Sequence, residues 1–163
     1  MAQEKKTRGN QGAILLAEDD ENDVLLTLRV FGQAHFVNPV RVVSDGEQAI
    51  AYFRGEGEFA QRDEYPLPAL LLLDLKMPRK DGFAVLQWLR QQPQLSALRI
   101  VVLTGSDRAE DAERARQLGA NSVLVKPLDF PHFVEATRGL TGFWSWRTDE
   151  PESSGRDEAG PGR

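Results

Sequence analysis

Short apolar runs recur along the chain, and segments with helical spacing separate them. The runs occupy residues 13–17, 37–43, 69–73, 100–103 and 122–125. Each run is too short to be a typical helix, and most of them are apolar without alternation, so both of their faces are expected to be buried. This pattern predicts five strands of a sheet that helices cover on both sides.

The segments around these runs repeat apolar residues at helical intervals. The repeats are Val24, Leu25, Leu28 and Phe31; Phe83, Leu86 and Leu89; Ala112, Ala115 and Leu118; and Phe133, Ala136 and Leu140. Residues 44–47, Ser-Asp-Gly-Glu, match a capping box, and Gly119 stands where a C′ glycine ends a helix. Five strands alternating with five helices predict an α/β fold, (βα)₅, with a doubly wound five-stranded parallel sheet.

Composition narrows the chemistry of this fold. The 163 residues include no cysteine and only two histidines, His35 and His132, far apart in the chain. A thiolate metal site and a thiol nucleophile are therefore excluded, and a histidine-rich metal site is disfavoured. The formal net charge of −5 argues against nucleic-acid binding as the main activity. The absence of an apolar signal segment and of a membrane-spanning run predicts a cytoplasmic protein.

The two ends of the chain differ in composition from the rest. Residues 1–11 are polar, and residues 147–163 are rich in Pro, Gly, Ser and charge. Neither segment carries enough apolar area to order itself, so both are expected to be disordered tails. The chain length suits one domain of ordinary size, which we place at residues 12–146.

Polar residues follow four of the predicted strands where each strand ends. Glu18 and Asp19 follow the first strand, Asp74 the third, Thr104 the fourth and Lys126 the fifth. Because ligands of open parallel sheets lie beyond the carboxyl ends of the strands, these side chains are expected to meet at one edge. Thr104 and Lys126 also have simpler interpretations, as a helix cap and as a solvated side chain.

The carboxylates of Glu18, Asp19 and Asp74 would repel one another at this edge. At ~5 Å the repulsion is roughly 3 kcal/mol per pair for an effective dielectric of about 20. A fold tolerates such a group when a cation lies among the acids or when one acid stays protonated. All-oxygen ligands point to a hard divalent cation, most plainly Mg²⁺. Lys126, held extended before Pro127, would balance the acids and contact an oxyanion.

Four ordered motifs resemble those of the receiver domains of two-component response regulators. They are ILLAEDD, LLLLDLKMPRKDG, IVVLTG and GANSVLVKP, within about residues 12–142. The resemblance implies the flavodoxin-like receiver fold, with Asp74 as the phosphoacceptor and Asp19 as a direct Mg²⁺ ligand. It also implies that Glu18 binds the ion through water and that the backbone carbonyl of Lys76 is a third protein ligand.

The same resemblance implies the reaction. Asp74 would take a phosphoryl group from the phosphohistidine of a histidine kinase and form an acyl phosphate. Mg²⁺ and Lys126 would neutralise the charge of the phosphoryl oxygens. The peptide bond from Lys126 to Pro127 would be cis. Thr104 would be the switch hydroxyl, drawn toward the new phosphoryl group together with Lys126. The chain would thus be a signalling protein that catalyses only its own phosphorylation and dephosphorylation.

One position departs from the family pattern. Many receivers carry an aromatic residue three positions before the lysine, which flips as the switch hydroxyl moves, and Val123 stands there in this chain. A valine cannot report the rotation of a ring. Output is therefore expected to depend on backbone movement around residues 105–108.

Three other functions remain open at this point. A Mg²⁺-dependent phosphohydrolase of the haloacid-dehalogenase type also uses an aspartate nucleophile, but it needs an acid two residues later, where Lys76 stands. A binding-only pseudo-receiver would lack an acid, the threonine or the lysine, all of which are present. A nucleotide-binding flavodoxin-like module would need a glycine-rich loop after the first strand, where the sequence is EDDEND.

Weaker features bear on the partners. The long connection over residues 54–68 and the aromatic segment 142–144 resemble single-domain regulators that pair with phytochrome-type histidine kinases. The short stretch after the receiver leaves no room for a DNA-binding domain, so output by protein contact or phosphorelay is expected. Burying Phe143, Trp144 and Trp146 would contribute roughly 2–3 kcal/mol per ring, which predicts a homodimer held partly by this segment.

Overall fold

A single parallel sheet forms the centre of the fold. The computed structural model describes residues 12–33 and 38–137, and its five strands follow the order β2-β1-β3-β4-β5. The strands are β1 (Ile14–Ala17), β2 (Val40–Val43), β3 (Leu70–Asp74), β4 (Arg99–Thr104) and β5 (Ser122–Val125). All four neighbouring pairs are parallel, and the strand order reverses between β1 and β3. The predicted doubly wound (βα)₅ sheet is confirmed.

Five α-helices alternate with the strands in the part of the chain that the structure describes. They are α1 (Glu21–Gln33), α2 (Gly46–Arg54), α3 (Gly82–Arg90), α4 (Ala109–Gln117) and α5 (Phe130–Ala136). Aspartate side chains at the starts of four helices accept first-turn backbone N–H groups at 2.7–3.1 Å, and these are Asp20, Asp45, Asp81 and Asp129. Such caps satisfy donors that the helix itself leaves without partners.

Element bounds differ from the predicted ones in ways that matter for the site. Strands β3 and β4 each run one residue further than predicted, because Asp74 lies opposite Leu103 and Thr104 lies opposite Val125 in the ladder. The backbones of both polar residues are therefore held within the sheet. The cap of α2 is Asp45 rather than Ser44.

Alternate strand residues face two apolar cores, one on each side of the sheet. Leu15, Leu71 and Leu73 belong to the core that also contains residues of α2, α3 and α4. Ile14 and Leu72 belong to the opposite core, which contains residues of α1 and α5. Full burial of each such side chain contributes about 2 kcal/mol, so the two cores hold the strand ends firmly.

The long connection after α2 is packed against the domain. It contains a short 3₁₀ turn (Gly57–Ala60), whose Phe59 ring lies 5.0 Å from Tyr52 and 5.4 Å from Tyr65 between centroids. The Tyr52 hydroxyl donates a hydrogen bond to the Pro66 carbonyl at 2.9 Å. An aromatic cluster therefore anchors this connection to α2.

Within residues 12–33 and 38–137, no helix is long and apolar enough to cross a membrane. The expected tails at 1–11 and 147–163, His35, and the aromatic segment 142–146 lie outside the described residues.

Candidate functional site

Three acids meet at the carboxyl edge of the sheet. Oxygen atoms of Glu18, Asp19 and Asp74 all lie within 4.8 Å of one another. Glu18 is 3% exposed and Asp74 is 5% exposed, whereas Asp19 faces solvent. The convergence follows from topology, because β1 and β3 are parallel neighbours whose carboxyl ends lie side by side.

Lys126 places its ammonium group among the buried acids. Its Nζ lies 2.7 Å from Oε1 of Glu18, 2.9 Å from Oδ2 of Asp23 and 3.4 Å from Oδ1 of Asp74. The Lys126 side chain is only 18% exposed, which excludes the interpretation of a freely solvated lysine. The peptide bond to Pro127 is cis, as the resemblance implied.

Burial and charge shift the ionisation of these groups. Burial raises the pKa of Glu18 to about 7, and the Asp74 charge adds to this rise while the hydrogen bond from Lys126 opposes it. Burial also raises the pKa of Asp74, although Lys126 opposes that shift. Burial alone would lower the pKa of Lys126, but Glu18, Asp23 and Asp74 outweigh it and hold that pKa above its usual value. The single ammonium therefore offsets only part of the cost of burying Glu18 and Asp74 in their charged forms.

The Thr104 hydroxyl occupies the end of β4, beside the acids. Thr104 as a whole is 2% exposed, and its hydroxyl accepts a hydrogen bond from the Ser106 N–H at 3.0 Å. The Ser106 hydroxyl in turn bonds to a carboxylate oxygen of Asp111 in α4 at 3.1 Å. The residue at the N-cap of α4 is Arg108, so Thr104 is not a cap for that helix. A chain of hydrogen bonds instead connects Thr104 to α4.

A cleft of about 560 Å³ opens beside the acids. Asp19, Lys76 and Thr104 line it, together with Phe83 and Arg108. A reactant that enters the cleft therefore meets residues from the ends of three strands. The side chain of Lys76 is exposed, and its role as a carbonyl ligand stays a prediction.

The donor set fits a hard divalent cation. Glu18, Asp19 and Asp74 each offer one carboxylate oxygen, and the set includes no nitrogen or sulfur ligand. Such all-oxygen sites bind Mg²⁺, Ca²⁺ or Mn²⁺ rather than the softer transition metals. A dication would also relieve the excess negative charge, which gives the acids a physical reason to remain together.

Sequence reasoning missed Asp23 as a partner of Lys126. Asp23 lies in the first turn of α1, where an acid is usually explained by the helix dipole. The available signal was its spacing, because Asp23 is three residues after the cap residue Asp20 and so faces back over the start of the helix. The spacing alone could not show that β5 delivers a lysine to the same place.

Comparison with known proteins now identifies the family. Residues 14–138 match the family model described as the response regulator receiver domain. The chain belongs to this family. Response regulators are signalling proteins whose receiver domains accept a phosphoryl group, so the phosphohydrolase and the nucleotide-binding module that the sequence left open are both excluded.

Similar proteins include regulators of phytochrome signalling. Response regulator Rcp1 of Synechocystis sp. is 33% identical over 131 residues, which cover 80% of this chain and 87% of Rcp1. The bacteriophytochrome response regulator RtBRR is 40% identical with a TM-score of 0.74, covering 90% of this chain and 87% of RtBRR. Phosphorylated RcpA, a cyanobacterial phytochrome response regulator, is 32% identical with a TM-score of 0.67, covering 82% of this chain and 94% of RcpA. Mn²⁺-bound Rcp1 is 32% identical with a TM-score of 0.65, covering 81% of this chain and 93% of Rcp1.

Proposed function

We propose that Asp74 is the phosphoacceptor of this receiver and that a histidine kinase supplies the phosphoryl group in a Mg²⁺-dependent reaction. The observation that carries the proposal is the position of Asp74, a buried carboxylate at the end of β3 with two further acids and Lys126 around it. A cleft lined by Asp19, Lys76 and Thr104 lies at the same edge of the sheet and would admit a phosphohistidine. The phosphorylated RcpA and Mn²⁺-bound Rcp1 structures support the same chemistry.

The transfer exchanges one bond to phosphorus for another. A carboxylate oxygen of Asp74 bonds to phosphorus as the bond from phosphorus to the histidine nitrogen breaks, and that nitrogen keeps the electron pair as the imidazole leaves. Asp19, Asp74 and the Lys76 carbonyl would hold Mg²⁺, with Glu18 acting through water, and the ion would supply positive charge to the phosphoryl oxygens. Hydrolysis of the acyl phosphate by water returns the free carboxylate of Asp74 and releases inorganic phosphate.

Lys126 and Thr104 are the residues of this chain that respond to the new phosphoryl group. The Lys126 ammonium, 3.4 Å from Asp74, needs only a small movement to contact a phosphoryl oxygen. The Thr104 hydroxyl turns toward the same group and gives up its bond from the Ser106 N–H. Because Val123 replaces the aromatic reporter, movement of the 105–108 backbone and of α4 carries the signal.

The partners follow from the same proposal. The kinase is of the phytochrome type, a reading supported by the likeness to RtBRR and RcpA. Output proceeds by protein contact or phosphorelay. A cytoplasmic location and a homodimer held partly by Phe143, Trp144 and Trp146 belong to the same proposal.

The proposal is tested with a small acyl-phosphate donor and Mg²⁺. Wild type should gain one phosphoryl group that hydroxylamine removes, and Asp74→Asn should gain none. Asp107→Asn is the matched control, since Asp107 is an exposed aspartate on the β4–α4 loop. Equal labelling of wild type and Asp74→Asn would overturn the assignment.

A further inference from the structure

The loop between β3 and α3 has an unusual backbone. Residues 75–81 connect the phosphoacceptor strand to α3, and five of them line the cleft: Leu75, Lys76, Met77, Pro78 and Asp81. Within this loop, Arg79 has a φ of 48° and Lys80 a φ of 84°. Left-handed backbone is uncommon for residues with a side chain and persists where the surrounding structure imposes it.

Contacts with the start of α2 impose this conformation. The Nε of Arg79 donates to Oδ2 of Asp45 at 2.8 Å, and the Arg79 carbonyl accepts the Glu47 N–H at 3.0 Å. Gly46 makes room for the approach, because a Cβ there would lie 2.1 Å from the carbonyl oxygen of Lys80. The loop is therefore attached to α2 by a side chain and by its backbone.

The Asp45 carboxylate is a rigid point of attachment. Its side chain is 4% exposed, and Oδ1 also accepts the Gln48 N–H at 2.7 Å as the cap of α2. The side chain of Arg79 is 61% exposed, so little besides Asp45 confines it. The arginine is thus the movable half of the pair and Asp45 the anchored half.

The other end of the loop is attached to the strand that carries the phosphoacceptor. The Gly82 N–H donates to the Leu75 carbonyl at 2.9 Å, and a Cβ on Gly82 would lie 2.5 Å from the Asp74 carbonyl oxygen. The Lys76 N–H faces Oδ1 of Asp74 at 3.4 Å. A shift of the loop would consequently move the cleft wall relative to the Asp74 carboxylate.

We propose that Arg79 and Asp45 are positioning residues for the phosphorylation site. Their ion pair fixes the part of the cleft wall that residues 75–78 form and, through it, the direction in which the Lys76 carbonyl points. The inference rests on the proposed function, since it assigns the pair a role in metal binding and phosphoryl transfer at Asp74. Neither residue touches the reactants, and both act through the loop.

The test compares Arg79→Ala with Arg79→Lys and with Arg54→Ala. Arg54 forms an exposed ion pair with Glu56 at 3.4 Å, away from the loop, and serves as the matched control. Three quantities are measured for the full chain: the dissociation constant of Mn²⁺ by electron paramagnetic resonance, the maximum rate of phosphorylation by an acyl-phosphate donor, and the thermal midpoint. The metal measurement does not depend on phosphoryl transfer.

Arg79→Ala should weaken Mn²⁺ binding and slow the maximum rate by about tenfold, as loss of groups that orient metal ligands commonly does. The half-saturating donor concentration should stay unchanged, and Arg79→Lys should restore part of both losses. Asp45→Asn keeps an oxygen that can cap α2. In a double variant with Arg79→Ala it should cause little further loss of Mn²⁺ affinity or rate, because both substitutions break the same ion pair. If Arg79→Ala had the same Mn²⁺ affinity and rate as Arg54→Ala, the inference would be overturned. A wild type that takes up no phosphoryl group would instead overturn the proposed function.

Discussion

Lys126 and Asp23 are separated by 103 positions in the chain, yet Nζ of the lysine lies 2.9 Å from Oδ2 of the aspartate. The pair joins the end of β5 to the first turn of α1. The same Nζ lies further from Asp74, at 3.4 Å from Oδ1. Asp23 is therefore a partner, in this structure, of the lysine that we propose to contact the phosphoryl group.

Asp23→Ala should lower stability but leave phosphorylation intact. The pair is partly buried, with Asp23 33% and Lys126 18% exposed, so its loss should cost about 1 kcal/mol after allowance for solvent screening. Phosphorylation by a small donor should continue, because Glu18 still holds Lys126 at 2.7 Å. Urea unfolding and labelling of the same sample check both parts. Abolished labelling in a folded variant would make Asp23 part of the reaction.

Asp19→Asn should weaken the binding of Mg²⁺ without destabilising the fold. Asp19 is the exposed member of the three acids and makes none of the described ion pairs with Lys126. Binding of Mg²⁺ should weaken by at least about tenfold, since a carboxylate ligand is lost. The thermal midpoint in the absence of metal should hold or rise, because repulsion among like charges falls. Calorimetric titration with Mg²⁺ tests the first point, and a variant with wild-type affinity would contradict it.

Thr104→Val should separate phosphorylation from the response to it. Valine has the shape of threonine but cannot accept the Ser106 N–H or donate to a phosphoryl oxygen. We expect full labelling of Asp74, a stability loss of about 1 kcal/mol, and no phosphorylation-dependent change in hydrogen exchange of residues 105–111. Thr27→Val, at a buried position of α1, is the control. An undiminished exchange response in Thr104→Val would assign the switch to other groups.

Tyr52 should contribute to the loss of stability at high pH. Burial raises the pKa of its hydroxyl from 10.0 to about 12, with Arg41 and Arg62 opposing the shift. Below pH 10 the hydroxyl is protonated in both states, so its full contribution to stability is present. Between about pH 10 and 12 the unfolded chain ionises first, and stability falls as pH rises. Unfolding free energies of wild type and Tyr52→Phe over this range check the sign, and parallel declines would contradict it.

The proposed homodimer should depend on the aromatic segment after α5. Light scattering of the full chain at micromolar concentration should give twice the monomer mass, and the Trp144→Ala, Trp146→Ala double variant should shift toward monomer. Tryptophan is a frequent hot-spot residue of interfaces, which explains the expected size of the change. Trp88→Ala is the control, because Trp88 packs on Phe53 within its own domain. A wild type that stays monomeric with and without phosphoryl would end this proposal.

Much of the site could be predicted because parallel strands carry it. Glu18, Asp74 and Thr104 stand at strand ends in the sequence, and a parallel sheet brings such ends to one edge regardless of how the helices pack. The bounds were less accurate, since Asp74 and Thr104 belong to the ladder itself. Apolar patterning cannot mark the last residue of a strand when that residue is polar.

The sequence by itself determined the layers of the fold and the chemical character of the active edge, because apolar period and strand-end composition are local properties. Only the tertiary structure decided which partners the charged groups take. Asp23 meets Lys126, and Arg79 meets Asp45 across 34 positions, because helix rotation and loop path bring them together. Helix rotation and loop path depend on how whole elements pack. An acid in a first turn or an arginine in a loop has the same local sequence signal whether it faces water or a buried partner.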